Sequence, residues 1–319
     1  MLKGTVQTDR FVVYCIQIFY IRIIIGDTNI MKRENRTKDV IIQLIATVFL
    51  ATSGIFVRHI SIAPLNVGFW RILFSMFLLY PFVHKNLKAL SKKDWGLLVL
   101  SGAALGGDIA FCNLAFDYTS IANVSVLTNM TAFIVVPVSY FIFKEKIPKL
   151  FFPGAILSVI GVIVLIKGKA VAAPSGYFGD FLAIIACILF ALFLLISYRV
   201  RDHIDSSTIM FVGGFGGMIA TLIPAIILEG FQIPTSSRDF LLILGLAVCM
   251  QLIGHNLVSY CQGKLSANLS CIIGLTQPVS AALLSWIIFK EVLTLQEWLG
   301  ILIVIIGVYL VKAQYKSKK

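Results

Sequence analysis

The sequence predicts an all-α integral membrane protein, with ten transmembrane helices arranged as two inverted five-helix repeats. Three observations predict it. Of 319 residues, 59% are hydrophobic and only 13% charged, with mean hydropathy +0.94. A water-soluble domain carries about 25% charged residues. An apolar excess spread along the whole chain cannot hide in a water-facing core, so the bilayer is its solvent. The second observation is a duplication. Ser120 to Gly161 recurs without a gap as Ser266 to Gly307, a shift of 146 positions. Phe143-Lys144-Glu145 falls on Phe289-Lys290-Glu291, Ser139 on Ser285, and Gly154 and Gly161 on Gly300 and Gly307. One long period means a duplicated half, not a solenoid. The third observation is the placement of positive charge, which fixes how the segments thread.

Taken in order, residues 1–38 form an N-terminal extension. Phe11 to Ile25 is apolar but short, and Arg22 interrupts it. It is shorter than the roughly 20 residues of a spanning helix, and it lacks a signal-peptide cleavage pattern. The expected true start is Met31, with residues 1–30 as a gene-model extension; an interfacial or peripheral helix and an extra span are the alternatives. Ten apolar segments follow at 39–60, 64–83, 95–116, 119–143, 149–167, 177–198, 207–228, 239–260, 264–289 and 295–312. They are helices because lipid offers no partner for an open backbone group. The first repeat covers 39–167, a linker 168–176, the second repeat 177–312 and a basic tail 313–319.

Lys32, Arg33, Arg36, Lys38, Lys85, Lys88, Lys92, Lys93, Lys144, Lys146, Lys149, Arg199, Arg201, Lys264 and the Lys312–Lys319 tail fall on one side of ten spans. Arg58, Lys167, Lys169, Arg238 and Lys290 fall on the other. The positive-inside rule then puts both termini in the cytoplasm of a cell (inner) membrane protein. The net charge of +12 is an anchor against anionic lipid and needs no nucleic acid. With five spans per half, the two repeats enter from opposite faces, a design common in transporters. The expected partners are the lipid bilayer and a small solute, with protons as candidate coupling ions. Monomer and homodimer are left undetermined.

Polar residues inside apolar spans mark the candidate site, since a charge in lipid faces a partner or a cavity. Arg71 in the second span is a candidate anion-binding or gating arginine, with snorkelling to headgroups as the plain alternative. Trp70 beside it is a candidate cavity wall or an interfacial ring. Asp108 in the third span is a candidate for substrate ammonium or a proton, with Arg71 as a possible ion-pair partner. Asn129 and Thr131 in the fourth span, and Gln277 in the ninth, lie at matching depths; Gln277 is the repeat mate of Thr131. Helix–helix hydrogen bonding would explain them equally well. Pro137 and Pro278 are expected to break the same two spans. His255 and Asn256 in the eighth are neighbours that cannot share a helix face. A satisfied structural histidine is the ordinary reading of His255, and a proton relay is the other. Gly213-Gly214 and Gly216-Gly217 give the seventh span a smooth surface for close packing. Glu145 and Glu291 are expected to pin helix ends. Six cysteines show no metal spacing, and no catalytic constellation, phosphate loop or cofactor motif is present. No cofactor, metal or enzymatic activity is expected.

Phe143-Lys144-Glu145 through Gly161, its copy through Gly307, Tyr118-Thr119-Ser120-Ile121-Ala122 and Pro64 to Phe69-Trp70-Arg71 together resemble the EamA family of the drug/metabolite transporter superfamily. The resemblance covers about 39–312. It implies a basket of inverted five-helix halves around a central cavity, and a carrier or exporter of small metabolites such as amino acids. Other branches of the superfamily carry nucleotide sugars or sugar phosphates. A receptor or scaffold is the alternative of another class, and the short loops offer it no partner domain. The halves differ where Lys264 replaces Tyr118 and where Pro278 faces Ala132, so pocket residues do not transfer simply between them.

Overall fold

A computed structural model describes residues 36–53, 56, 59–147, 149–167, 176–290 and 292–314. The expected Met31 start, the extension before it, Arg58, Glu291 and the end of the basic tail lie outside these residues. The chain folds into helices α1 (Arg36–Ala51), α2 (Pro64–Val83) and α3 (Lys92–Tyr118). Next come α4 (Ile121–Asn129), α5 (Thr131–Phe143) and α6 (Phe151–Lys167). The second half has α7 (Tyr177–Val200), α8 (Ser206–Pro224), α9 (Ser237–Leu246) and α10 (Asn256–Gln262). It ends with α11 (Ala267–Gly274), α12 (Gln277–Phe289) and α13 (Leu295–Gln314).

Among the described residues, eight helices are long and apolar enough to cross a membrane: 64–83, 92–118, 123–143, 177–200, 206–229, 237–262, 267–288 and 295–313. The protein is therefore a multi-pass, all-α membrane protein. Two of the ten expected segments are shorter. α1 has 16 residues and α6 has 17, or about 24–26 Å at 1.5 Å per residue. Apolar side chains point outward along the bundle, such as Phe141 at 77% and Tyr309 at 65% exposure. That outward apolar surface is what lipid covers.

Two spans are interrupted, the ninth directly before Pro278 as expected and the fourth away from Pro137. α4 gives way to α5 at Met130, while Pro137 sits inside α5 without ending it. The other break falls at Leu275 and Thr276, between α11 and α12. Thr276 is the repeat mate of Met130, so both halves break in the same register. Here Pro278 occupies the first turn of α12, where its missing N–H costs nothing. The copies also share caps. Ser120 Oγ accepts from Asn123 N at 3.1 Å, and Ser266 Oγ from Leu269 N at 3.3 Å. Lys144 and Lys290 both close their helices at φ 53°, a left-handed conformation that a lysine rarely adopts.

Glycine sets the tightest contacts. A Cβ on Gly102 of α3 would stand 1.7 Å from the Gly213 carbonyl of α8. One on Gly106 would stand 2.5 Å from the Gly217 carbonyl. These backbones touch, which is how membrane helices pack without a hydrophobic drive between them. α6 and α13 meet in a second such seam. A Cβ on Gly154 would lie 2.7 Å from the Gly307 carbonyl, and one on Gly161 would lie 3.0 Å from that of Gly300.

Polar contacts gather at two ends of the bundle. At one, Asn86 reaches Asp205, His203 pairs with Asp94, and Cys261 donates to the Asp39 carbonyl. α1 starts and α13 finishes at this end, here termed the terminal end. At the far end, Ser61 donates to Asp239, and Leu65 N and Asn66 N both donate to Glu229. The free N–H groups at the start of α2 are thus capped by a carboxylate from after α8.

Candidate functional site

A cavity of about 660 Å³ lies inside the bundle. Its walls come from both halves: Gln43 to Ser53, Pro64 to Arg71, Asp108 to Phe116 and Val124 to Ala132 from the first, and Phe190, Met250, His255, Val258 and Ser270 to Ser285 from the second. Where the walls come from α2, α3, α6 and α13, they belong to the far-end part of each helix, as with Pro64, Phe116, Ile166 and Glu297. The cavity therefore reaches toward the far end.

The terminal end is tied shut across the two halves. Glu145 Oε1 accepts from Ala267 N at 3.1 Å, and its Oε2 from Asn268 N at 3.4 Å. Ser139 Oγ donates to Asn268 Oδ1 at 2.6 Å. Glu145 does pin a helix end, through backbone N–H groups and not through an ion pair. The repeat mate of Ser139 is Ser285, which instead lines the cavity.

Six of the seven predicted site residues meet in this cavity: Arg71, Asp108, Asn129, Thr131, His255 and Gln277. Trp70 does not. Its Nε1 donates to the Gln232 carbonyl at 2.8 Å, and its ring packs on Phe74 and Phe231. Successive helical residues point about 100° apart, so Trp70 turns away when Arg71 turns in. The Arg71–Asp108 ion pair is also absent. No nitrogen–oxygen contact within 4.0 Å joins them among the described residues, and Arg71 Nη1 donates to Met250 Sδ at 3.0 Å. The two side chains face the same cavity without neutralising each other directly.

His255 ends a nine-residue π-helical stretch, Ala247–His255. Its i→i+5 ladder sets Met250 and His255 on one face. His255 is 4% exposed, meets the rings of Phe190 and Phe193 edge-on, and has no partner for Nδ1 among the described residues. Asn256 turns elsewhere and donates to Ser207. Asn129 Nδ2 folds back on the Ser125 carbonyl at 2.6 Å, and Thr131 Oγ1 on that of Thr128 at 2.7 Å. Thr131 and Gln277 open α5 and α12, so two helix N-termini start in the cavity wall.

Sequence reasoning missed Gln43 and Thr47 on α1. Both are buried cavity residues, and Thr47 Oγ1 bonds Thr276 Oγ1 at 3.2 Å. The available signal was Asp39, Gln43 and Thr47 at four-residue spacing, a polar stripe on an apolar helix. Among the described residues, no group of three or more His, Cys, Asp or Glu could hold a metal ion.

The EamA-like transporter family pattern matches residues 37–167 and again 177–313. An uncharacterized transporter of Bacillus subtilis, YetK, is 29% identical over 244 residues, covering 74% of this chain and 73% of its own. An uncharacterized transporter of Clostridium kluyveri is 25% identical over 285 residues, covering 85% of this chain and 91% of its own. A solved structure titled "Crystal structure of protein" superposes with TM-score 0.77 at 14% identity, over 88% of this chain and 98% of that one, which speaks to the fold alone. Taken with the multi-pass helical bundle and its central cavity, these matches place the chain in the EamA family of the drug/metabolite transporter superfamily, as a membrane transporter of a small solute.

Proposed function

We propose that the protein exports a small polar or amphipathic metabolite, such as an amino acid or a related solute, by alternating access. Ten spans form two inverted repeats, 39–167 and 177–312, joined by 168–176. Both termini lie in the cytoplasm of the cell membrane. The observation that carries this reading is the cavity that reaches one end of the bundle while ties between the halves close the other. Two features support it further. α5 and α12, broken in the same register, begin in the cavity wall, as broken helices do in inverted-repeat carriers. The glycine seam of α6 and α13 is reciprocal: the pair Gly154–Gly307 becomes Gly300–Gly161 when each residue is replaced by its repeat mate.

The cavity favours a lightly charged solute over a nucleotide sugar or sugar phosphate. Among the described residues, Arg71 is the sole arginine or lysine in its walls, set against Asp108. Asp108 and His255 are the candidate proton carriers. Each lines the cavity, and position 108 maps to 254, next to His255.

Reconstitution into vesicles, with and without a proton gradient, tests the reading directly. Uptake of an amino acid that saturates and shows counterflow is the expected result; diffusion-like leakage for every amino acid and related metabolite would end it. Asp108→Asn should remove the pH dependence of that uptake, and pH dependence retained in full would exclude Asp108 as the proton carrier. Tags placed after residues 145 and 292 should be reached from opposite faces of the membrane; a shared face would contradict the inverted arrangement.

A further inference from the structure

We infer that Arg71 is the receptor for a carboxylate carried by the solute. The inference rests on the transport reading and narrows it from small metabolites to carboxylates with an apolar body.

Arg71 is 6% exposed and lies in a span. A guanidinium keeps its proton in proteins, so burial cannot neutralise it. A buried charge of this kind needs an opposite charge and hydrogen-bond acceptors. The protein supplies neither in full. The hydrogen bond of Arg71 among the described residues runs from Nη1 to the thioether of Met250, a weak acceptor. Nε has no partner, and no carboxylate lies within ion-pair distance. Nη1 is taken by Met250, and the charge of the guanidinium is left unmatched beside the cavity that it lines. A carboxylate fits that place, since arginine is favoured over lysine for pairing with carboxylates.

The surroundings agree with this assignment. His255, with Nδ1 unpartnered, stands on the same π-helical face as Met250. Gln43, 2% exposed, leaves its acceptor Oε1 unpartnered in the same cavity, a place for a donor on the solute and not for the carboxylate itself. Beyond these polar groups the wall is apolar, with Leu50, Val67, Ile109, Phe190 and Leu194. A polar head fits at Arg71 and an apolar body along the rest. Asp108 faces the same space and suits a solute that also bears an amine.

The test compares common apolar L-amino acids with their carboxamides, which keep size and amine and lose the carboxylate. Binding is measured by calorimetry on the full-length protein in detergent, and transport in proteoliposomes. The expected result is that at least one acid binds at least about 30-fold more tightly than its amide. That ratio follows from leaving one side of a buried charged hydrogen bond unmade. Arg71→Gln should bring acid and amide to equal affinity, and Arg71→Lys should recover part of the difference. Equal binding of acid and amide by the unaltered protein, or no binding of any acid, would overturn the inference even if Arg71→Gln failed to fold. An acid that binds in an Arg71-dependent way but never crosses the vesicle wall would sink the transport reading and leave the carboxylate site standing. Equal transport of acid and amide would do the reverse.

Discussion

The starts of α4 and α11 are copies of one another, and they are fastened differently. Each opens on a serine that caps its third N–H. At α11 a second cap arrives from the other half, where Glu145 takes the N–H groups of Ala267 and Asn268 while Ser139 bonds the Asn268 side chain. At α4 the neighbouring bonds go to α7, with Thr119 Oγ1 and Asn123 Nδ2 both donating to Asp180. Ser285, the mate of Ser139, borders the cavity instead. The repeat mate of Asn268 is Ala122, which has no amide to offer. Related but diverged sequence therefore fastens the two ends differently, with Glu145 capping α11 and Asp180 taking side-chain donors at α4. A carrier needs two ends that differ, and an inverted duplication can supply them.

The largest expected effect breaks the frame common to both ends. Gly102→Leu would push a side chain into the Gly213 backbone and should cost more than about 3 kcal/mol, the upper range for overpacking. Loss of the monodisperse peak and of the cooperative melt in detergent is the readout. Next comes labelling. Cysteine at 285 should react with a polar maleimide at least about ten times faster than cysteine at 139, a gap of about 1.4 kcal/mol in effective access. Equal rates would erase the contrast between the ends. Glu145→Gln should weaken the cross-repeat cap by about 1 kcal/mol, raising labelling at 139 about five-fold. Unchanged labelling would mean that the cap does not hold that end. The smallest effect belongs to Asn268→Ala, which makes α11 resemble α4. It removes the Ser139 bond but also a buried amide nitrogen that has no partner, so a net loss of about 0.5–1 kcal/mol is expected in the thermal melt.

Much of the fold could be read from periodicity and charge. Long apolar runs, the 146-residue shift and polar residues within spans are all properties of composition and spacing. Arg71 and Asp108 stood out because a charge in lipid has few explanations. What failed depended on rotation about a helix axis. Trp70 and Arg71 are adjacent, so they could not both face the cavity, and nothing in the sequence says which one turns in. Gln43 and Thr47 were overlooked because each alone is unremarkable in an apolar run; their four-residue spacing was the signal. The π-helical stretch at Ala247–His255 has no mark in composition, although it is what aligns Met250 with His255. The position of the fourth-span break was also misjudged. Pro137 removes one N–H but leaves the path of α5 continuous, whereas the break at Met130 is repeated at Thr276.

The meeting line of α6 and α13 has a mechanical meaning. If the two halves trade shapes, Gly154 takes the role of Gly300 and Gly307 that of Gly161. The glycine pairs are carried onto one another and the line of contact stays where it was. A hinge pin has this property, since the parts on either side swing while it keeps its place. Bulk added along that line should stiffen the swing in both directions alike.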